Sequence, residues 1–276
     1  MKSGANPDVF QGIPADDPAL FAEIRPRLPV GMMGVSFLAC REISSTNTLA
    51  MTLGAGDAPE GSVVVADYQT RGRGRHARGW VAPPGTSLLV SVLLRPNCSV
   101  DRIPQLSLVS GVAAREALAL SGVETQLKWP NDLLFRGKKV GGILLEAVSG
   151  PLGNPAVVVG MGLNVNQTRE DFPLELRDRA TSLAIENGRP TERGALLELF
   201  LSSLDRWYAT YLRDGFAPVR AAWLETAAGF GRWVDLDGQR GRMVDLGSDG
   251  SLILMTEGGR HVHVRAGEVS DHASGH

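Results

Sequence analysis

Residues 62–94 have the sequence SVVVADYQTRGRGRHARGWVAPPGTSLLVSVLL, in which two apolar runs enclose a segment rich in arginine and glycine. The runs 62–67 and 86–94 have the length and the valine and leucine content of buried β-strands. The segment between them, residues 68–80, is too charged and too flexible to belong to a core. Glycine lets a backbone approach a ligand closely, and arginine forks suit phosphate or carboxylate groups. The stretch therefore predicts a sheet that carries an anion-binding loop, called here the Arg/Gly loop.

The composition predicts an ordinary globular protein rather than a nucleic-acid clamp. The chain has 276 residues, 43% of them hydrophobic and 21% charged, which is enough for one sizeable core and a small second domain. Its net charge is only −2, whereas a protein that grips a nucleic-acid backbone usually carries a basic excess. We therefore interpret the arginines as a local site and expect no DNA partner.

Cysteine usage and hydropathy predict a cytoplasmic protein. Cys40 and Cys98 are far apart and have no cysteine or histidine at metal-ligand spacing, which argues against a disulfide framework and a zinc site. No apolar run reaches the length of about 18 residues that a membrane span needs. The N-terminus has no basic start followed by an apolar stretch, so we expect neither a membrane partner nor a secretory signal.

The texture of the sequence divides the chain into three parts. Residues 1–30 are rich in Pro, Asp and Ala and too short for a folded domain, so we predict an N-terminal extended arm. Residues 31–228 mix strand-like runs with helical patterns and have the size of a catalytic domain. Residues 229–270 contain short strand-like runs separated by Asp-Gly and Gly-Gly turns, typical of a small antiparallel barrel. The predicted fold class is therefore α/β (α+β), with packed helices on a sheet and a small barrel after it.

Two helices and a short third one are predicted in the central part. The first runs from about Pro104, a favourable first-turn residue, to Gly122, a natural stop. The second begins near Thr191 and carries leucines and aromatic residues at helical spacing, and a third begins at Pro218. We interpret the aromatic residues as core packing because burial alone requires their spacing.

His261 and His263 alternate on one predicted strand of the barrel and so share a face. No third ligand accompanies them, and alternate histidines on a half-exposed strand are common. We therefore expect no metal at these histidines.

Four polar segments stand at the ends of apolar runs, where sheet proteins display functional loops. They supply hydroxyls, cations, a carboxylate and glycine-lined approaches, without an obvious nucleophile. Neither GxxxxGK[ST] nor a GxGxxG that opens a helix is present, so we expect no P-loop or Rossmann fold. The carboxylate of Asp132 could help to hold a magnesium ion. The segments are residues 44–47, 68–80, 128–132 with 138–142, and 160–166.

The order of these motifs resembles the biotin protein ligase family. The matching motifs are STN (45–47), GRGRHARGW (72–80), KWPNDL (128–133) with GKKVGGILLE (137–146), and GMGLNVN (160–166). Each is weak alone, but the four in this order are specific. The resemblance covers roughly residues 40–166 and implies a class II synthetase-like catalytic domain of the biotin and lipoate ligase type, with a mixed sheet. The barrel-like tail is similar to the SH3-like domain that members of the family carry at the C-terminus.

The resemblance implies a two-step reaction that uses biotin, ATP and Mg²⁺. The biotin carboxylate attacks the α-phosphate of ATP, which gives biotinyl-5′-AMP and pyrophosphate. A lysine of a biotin carboxyl carrier protein then takes the biotinyl group. Such a site must bring two anions together and keep a reactive mixed anhydride from water, which explains a cationic loop that can fold over its ligands.

By the same resemblance, polar side chains hydrogen-bond the ureido ring of biotin, and a glycine-containing strand lines its thioether ring and valeryl chain. A site that pairs buried ring donors and acceptors rejects analogues that lack them. The biotin-binding residues so implied are Ser45, Thr46, Asn47, Gln69, Gly72, Arg73, Gly142, Ile143 and Leu144.

Arg75 and Lys139 match family positions near the carboxylate and the α-phosphate, where fixed positive charge stabilises the charge that accumulates on phosphoryl oxygens. Asp132 is the third catalytic candidate, because with Asn131 it could organise Mg²⁺ or orient the incoming lysine. Trp80 is expected to close over the adenine. The ATP- and adenylate-binding residues so implied are Arg73, Arg75, Arg78, Trp80, Lys128, Asn131 and Asn164.

Two alternatives stay open from the sequence. One is a lipoate ligase or another acyl-adenylating protein ligase, which shares the reaction but should lack this Arg/Gly loop. The other is a single-stranded nucleic-acid-binding protein that uses the loop as an electrostatic groove and Trp80 as a stacking platform. Biotin- and ATP-dependent release of pyrophosphate would distinguish the ligase from the nucleic-acid binder.

The sequence departs from part of the family in two places. The thirty residues before the catalytic part are too few for a helix-turn-helix domain, so we expect no repressor function. His76 and Ala77 stand in the Arg/Gly loop where more basic or glycine-like residues are common. Pairing of protomers into a homodimer is left open.

Overall fold

The computed structural model describes residues 19–20, 31–151, 155–236 and 238–271. Nearly all of the predicted N-terminal arm, residues 1–30, lies outside these ranges, so the arm stays a prediction. Leu20, one of the two residues described there, is buried in the main core.

A mixed sheet organises the central part of the chain. The first nine strands are β1 (Phe37–Ile43), β2 (Val63–Gln69), β3 (Gly72–Arg73), β4 (Gly79–Trp80), β5 (Ser87–Leu94), β6 (Gln126–Lys128), β7 (Asp132–Phe135), β8 (Lys138–Ser149) and β9 (Pro155–Asn164). Among the described residues, seven of them form one sheet in the order β1-β2-β5-β9-β8-β7-β6. The β1–β2 pair is parallel, and the other neighbours are antiparallel. The predicted apolar runs 62–67 and 86–94 become β2 and β5, and the mixed sheet implied by the resemblance is confirmed.

The helices are α1 (Thr46–Ala55), α2 (Gln105–Leu120), α3 (Leu183–Asn187), α4 (Arg193–Asp214) and α5 (Ala217–Glu225). The predicted helices from Pro104, Thr191 and Pro218 correspond to α2, α4 and α5, so these predictions are confirmed. Tyr208 and Tyr211 of α4 are fully buried, as core packing requires. The short helix α3 was not predicted from the sequence, although Ser182 caps it by accepting a hydrogen bond from the Ile185 amide.

The two faces of the sheet pack on different helices, because side chains alternate along a strand. On β9 the odd-numbered side chains, such as Val159, enter the main core with α2 and α4. The even-numbered ones, such as Val158, enter a smaller core beneath α1. Gly160, Gly162 and Asn164 continue the even series, so they lie on the α1 face of the sheet.

An antiparallel sheet forms the C-terminal part. Its strands are β10 (Trp233–Leu236), β11 (Gln239–Leu246), β12 (Leu252–Met255), β13 (His261–Val264) and β14 (Val269–Asp271). In the described residues their order is β13-β12-β11-β10-β14, which confirms the antiparallel, SH3-like tail. Gly250 and Gly259 turn the chain between strands with positive φ angles of 85° and 74°, a region that glycine adopts at little cost. The buried side chains of this sheet join the main core, and the boundary between residues 228 and 229 stays a prediction.

None of the helices in the described ranges is long and apolar enough to cross a membrane.

Candidate functional site

The C-terminal half of β9 carries a row of small and polar residues on the α1 face. We call Gly160, Gly162 and Asn164 the glycine track. The neighbouring strands β5 and β8 run alongside it and contribute the residues that lie directly opposite. The pairs across the sheet are Ser91–Gly160–Leu144, Leu89–Gly162–Gly142 and Ser87–Asn164.

A side chain stands directly over each glycine of the track. A Cβ atom on Gly160 would lie 2.1 Å from the Oδ1 atom of Asn47, and one on Gly162 would lie 2.8 Å from the Trp80 ring. Such distances exclude any side chain at either position unless its neighbour moves. The glycines of GMGLN therefore let Asn47 and Trp80 approach the strand. The indole nitrogen of Trp80 is buried and has no hydrogen-bond partner among the described residues.

Five polar side chains form a hydrogen-bonded group, called here the Ser91 cluster, at the Gly160 end of the track. Gln69 Oε1 accepts hydrogen bonds from the amide and the hydroxyl of Thr46, at 2.8 and 3.0 Å. Ser91 Oγ lies 2.8 Å from Thr46 Oγ1 and 2.5 Å from Asn47 Oδ1. Asn47 Nδ2 donates to Glu146 Oε2 at 2.9 Å. The structure thus brings together three of the predicted biotin residues, Thr46, Asn47 and Gln69.

Ser45 precedes this cluster at the first turn of α1. It occupies the N-cap position, but its side chain makes no capping hydrogen bond, and the residue is buried. Although serine favours the N-cap position, the Ser45 hydroxyl therefore does not cap the helix. Ser45 remains a polar group placed beside the Ser91 cluster.

Strand β8 contributes three predicted residues, of which one points away. Gly142 and Leu144 lie on the α1 face opposite the track. The Ile143 side chain is buried in the main core on the other face of the sheet. The prediction that Ile143 lines the ligand pocket is therefore wrong for its side chain, because a one-residue step along a strand reverses the face. Its amide donates to the Asn131 carbonyl at 2.8 Å, and Asn131 Nδ2 donates to its carbonyl at 2.7 Å.

The Arg/Gly loop forms a compact hairpin in which β3 pairs with β4. A single helical turn, Arg75–Ala77, joins the two strands. His76 has φ 53°, in the left-handed region that glycine favours. This backbone explains why glycine-like residues suit the position. The base of the loop is tied to the end of β1, because the Arg71 amide donates to the Ser44 carbonyl at 2.9 Å.

The three arginines predicted to bind ligand are held by different acceptors. Arg73 donates to Glu146 at 2.8 Å, which links the loop to the Ser91 cluster. Arg75 donates to the carbonyl of Gly267 at 3.2 Å. Arg78 makes a bidentate contact with the Glu268 carboxylate, at 2.6 and 2.5 Å. Residues between β13 and β14 thus hold the outer part of the loop, and the structure does not gather the arginines on one acceptor.

Glu268 is surrounded by cationic groups of the central part. The hydrogen bond from Arg78 lowers the pKa of Glu268, and the charges of Lys128 and His76 lower it further. The same hydrogen bond raises the pKa of Arg78, and Asp132 adds to that effect through its charge. Lys128 and Asp132 are therefore electrostatic neighbours of the outer loop.

Lys139 and Asp132 form an ion pair beside the middle of the track. Lys139 Nζ lies 2.6 Å from Asp132 Oδ1, and the two side chains are 39% and 25% exposed. Both lie over Gly142, since a Cβ atom there would be 3.3 Å from Lys139 Nζ and 3.4 Å from Asp132 Oδ1. The pair leaves the second carboxylate oxygen of Asp132 outside this contact.

The side chains of this site suit Mg²⁺ only if a substrate supplies further ligands to the ion. The described residues contain no group of three or more His, Cys, Asp or Glu side chains that could enclose a metal ion, and this includes the surroundings of His261 and His263. Mg²⁺ is commonly bound by one or two carboxylates together with substrate phosphates. Asp132 can supply one such carboxylate.

Asn164 lies at the far end of the track in a buried amide network. Its Nδ2 atom donates to the Thr181 carbonyl at 3.0 Å. Gln167 Nε2 donates to Asn164 Oδ1 at 3.0 Å and to Ser87 Oγ at 2.7 Å. Asn164, the predicted adenine contact, is therefore fixed at one end of a line that begins at Asn47.

Several residues of this site were not predicted from the sequence. Ser87 and Ser91 interrupt an apolar strand at a spacing of four, which places both on one face, and this was the available signal. The roles of Glu146, Gln167 and Glu268 depend on strand register and chain return. No local motif indicates them.

Comparison with known proteins identifies the family. The model of the biotin/lipoate A/B protein ligase family matches residues 39–166. The bifunctional ligase/repressor BirA of Bacillus spizizenii is 38% identical over 243 residues, which cover 86% of this chain and 75% of that protein. The biotin--[acetyl-CoA-carboxylase] ligase of Paracoccus denitrificans is 36% identical over 82% of this chain and 96% of its own length.

Comparison with solved structures supports the same family. The biotin protein ligase of Aquifex aeolicus, in complex with biotin and ATP, superposes with a TM-score of 0.74 at 32% identity, over 86% of this chain and 98% of that one. Identity and coverage of this extent, together with the order of the motifs along one sheet face, establish common descent rather than a shared fold alone. The chain therefore belongs to the biotin/lipoate A/B protein ligase family, and within it to the biotin protein ligases.

Proposed function

We propose that this protein is an ATP-dependent ligase that activates biotin as biotinyl-5′-AMP and transfers the biotinyl group to a lysine of a biotin carboxyl carrier protein. The relative from Aquifex aeolicus is described with biotin and ATP, and the one from Paracoccus denitrificans is named for acetyl-CoA carboxylase. The observation that carries the proposal is the order of chemical groups along the glycine track. Neutral polar groups lie at one end, the Lys139–Asp132 ion pair lies in the middle, and an amide lies at the other.

The Gly160 end suits the ureido ring of biotin. That ring is neutral and offers both N–H donors and a carbonyl acceptor, and the Ser91 cluster supplies neutral hydroxyl and amide groups that can meet them. Thr46, Asn47 and Gln69 hold one another in place, so little side-chain freedom is lost when a ligand binds. Ser45 and the backbone of Gly72 and Arg73 complete this end.

The same cluster favours biotin over a lipoyl group. A lipoyl dithiolane ring has no hydrogen-bonding atoms of comparable strength, so it would leave buried hydroxyl and amide groups without partners. Each such loss costs about 1–3 kcal/mol. Leu144 and Gly142, on the face of β8 beside the track, are placed to contact the less polar part of biotin.

The middle of the track is where the reaction takes place. A carboxylate oxygen of biotin bonds to the α-phosphorus of ATP, and the bond from that phosphorus to the bridging oxygen breaks as pyrophosphate leaves. The acceptor lysine then bonds to the biotinyl carbonyl, loses a proton, and AMP leaves. Lys139 stabilises charge on the phosphoryl oxygens, and Arg75 does so once it exchanges the Gly267 carbonyl for a ligand oxygen.

The Asn164 end receives the nucleotide. Asn164 faces the adenine edge, and Trp80, which already lies over Gly162, covers the base. Arg78 and Lys128, both electrostatic neighbours of Glu268, provide phosphate contacts. Asp132 would supply the protein carboxylate for a Mg²⁺ ion bound with ATP, which would neutralise phosphate charge, and Asn131 holds the adjoining strand in position.

The decisive experiment measures pyrophosphate release by the purified protein. We expect release that requires biotin, ATP and Mg²⁺ together, and transfer of labelled biotin to a carrier-domain lysine. Substitution of Gln69 by Leu should raise the KM for biotin by at least about tenfold, because Thr46 loses its acceptor. Lipoate should not replace biotin. Release with lipoate but not with biotin would refute the proposal.

A further inference from the structure

Gln167 is a buried amide that no motif assigns to a role. It is 1% exposed and lies just after β9. Its Nε2 atom donates to both Ser87 Oγ and Asn164 Oδ1, whereas its Oε1 atom has no partner among the described residues. Most buried polar groups are hydrogen-bonded, so an unpaired one in the nucleotide half of the site calls for a reason.

The direction of the Asn164 amide follows from a fixed backbone carbonyl. The Thr181 carbonyl can only accept a hydrogen bond, so the Asn164 atom that contacts it must be Nδ2. Asn164 Oδ1 then faces Gln167, and the Gln167 atom that contacts it must be Nε2. Thr181 itself is anchored, because its amide donates to the Lys139 carbonyl at 2.9 Å. The network therefore admits only one orientation of the Asn164 amide.

That orientation leaves Asn164 with one N–H and one oxygen lone pair. A side-chain amide presented in this way matches the adjacent acceptor and amino group of adenine with two hydrogen bonds. A purine with a 6-keto group presents two acceptors on the same edge and cannot satisfy both. If the Asn164 amide rotated by 180°, its oxygen would face the ring acceptor and its N–H would face the amino group, so adenine would lose both hydrogen bonds.

We propose that Gln167 is a positioning residue that, together with the Thr181 carbonyl, holds the Asn164 amide in the orientation that selects ATP over 6-keto purine nucleotides. The inference rests on the proposed function, since it requires that Asn164 face the base. Ser87 completes the arrangement by fixing the second N–H of the Gln167 amide. The pair acts on nucleotide selection and leaves the biotin end of the track unchanged.

The test compares ATP with ITP in biotin-dependent pyrophosphate release. We expect the wild-type chain to prefer ATP and the near-isosteric variant Gln167→Met to lose about tenfold of that preference in kcat/KM. The KM for biotin should stay within about twofold of the wild-type value. Gln167→Glu keeps the shape of the side chain but offers only acceptors when it is ionised, so its preference for ATP should also fall. This variant provides the test if Gln167→Met does not fold.

Matched variants separate orientation from general damage to this segment. Asn166→Ala removes two hydrogen bonds to the Thr191 backbone, at 2.9 and 3.0 Å, but touches neither Asn164 nor Gln167. It should keep the wild-type ATP/ITP ratio even if its rates fall. Asn164→Ala should lose the preference as Gln167→Met does.

The possible results distinguish a failure of the role proposed for Gln167 from a failure of the proposed ligase function. Absence of biotin-dependent release by the wild-type chain would overturn the proposed function. Activity with an unchanged ATP/ITP ratio in both Gln167 variants would overturn only the role of Gln167, because a merely structural residue lowers both rates together. An unchanged ratio in Asn164→Ala would overturn it as well, by removing Asn164 from the base.

Discussion

Substitution of Gly160 by Ala should destabilise the protein and weaken biotin binding together. The new Cβ atom would lie 2.1 Å from Asn47 Oδ1, so the Asn47 amide must move. It cannot move without losing its contacts with Ser91 at 2.5 Å, Glu146 at 2.9 Å and the Leu144 carbonyl at 3.3 Å. Three hydrogen bonds at about 1 kcal/mol each give a loss of about 3 kcal/mol in the free energy of unfolding.

The binding effect follows from the same displacement. A shift of Asn47 disturbs the neutral groups proposed to pair with the ureido ring. If half of this loss in free energy also weakens the complex with biotin, the affinity for biotin falls about tenfold. Chemical denaturation measures the change in the free energy of unfolding, and titration calorimetry measures the change in the affinity for biotin.

Two further variants make this prediction specific. Gly111→Ala is the control, because its Cβ atom would lie at an ordinary 3.5 Å from Leu127 and alanine stabilises a helix interior by about 0.5–1 kcal/mol. The double variant Gly160→Ala/Asn47→Ala should be no less stable than Asn47→Ala alone, since the obstructing amide is gone. A Gly160→Ala protein within about 0.5 kcal/mol of wild type and with unchanged biotin affinity would refute the reasoning.

Three other substitutions have defined outcomes. Lys139→Ala should reduce pyrophosphate release at least about a hundredfold, while Lys138→Ala stays within a few-fold of wild type, as a pyrophosphate assay would show. Glu268→Gln should cost up to about 1 kcal/mol at neutral pH. Because Arg78 lowers the pKa of Glu268, this difference is present above the ordinary carboxyl pKa of about 4.3 and disappears as acid protonates the folded state, which denaturation at several pH values would reveal. Arg193→Met should cost about 3 kcal/mol by denaturation, since it leaves a carboxylate only 15% exposed without the partner now at 2.7 Å.

The sequence predicts the centre of the sheet better than its edge. The central strands β5 and β9 are buried on both faces, so they appear as continuous apolar runs. The edge strand β6 and its neighbour β7 have only three and four residues, with polar positions that resemble a turn. β6 pairs with β7 and β7 pairs with β8 through short connections, and strands this short contain too few residues for periodicity to identify them.

Within the site, too, the sequence predicts some residues and misses others. Motifs located Thr46, Lys139 and Asn164, because each lies in a short segment whose composition is unusual. They grouped Ile143 with its neighbours Gly142 and Leu144, although side chains alternate along a strand and its side chain therefore lies on the opposite face. Glu268, close to the end of the chain, reaches the Arg/Gly loop only through the fold of the C-terminal sheet.

The two halves of the site differ in how firmly the protein holds them. Apart from the Glu146 carboxylate, the groups of the Ser91 cluster are neutral, largely buried and hydrogen-bonded to one another, so their arrangement is part of the fold. The cations are held by exposed ion pairs, such as Arg78–Glu268 at 66% and 46% exposure, which contribute about 0–1 kcal/mol and exchange partners at little cost. Substitutions at the biotin end should therefore change stability and affinity together, whereas those among the cations should change turnover alone. This difference follows because a neutral ring needs fixed partners, whereas phosphates that enter and leave in each cycle need cations that can be released.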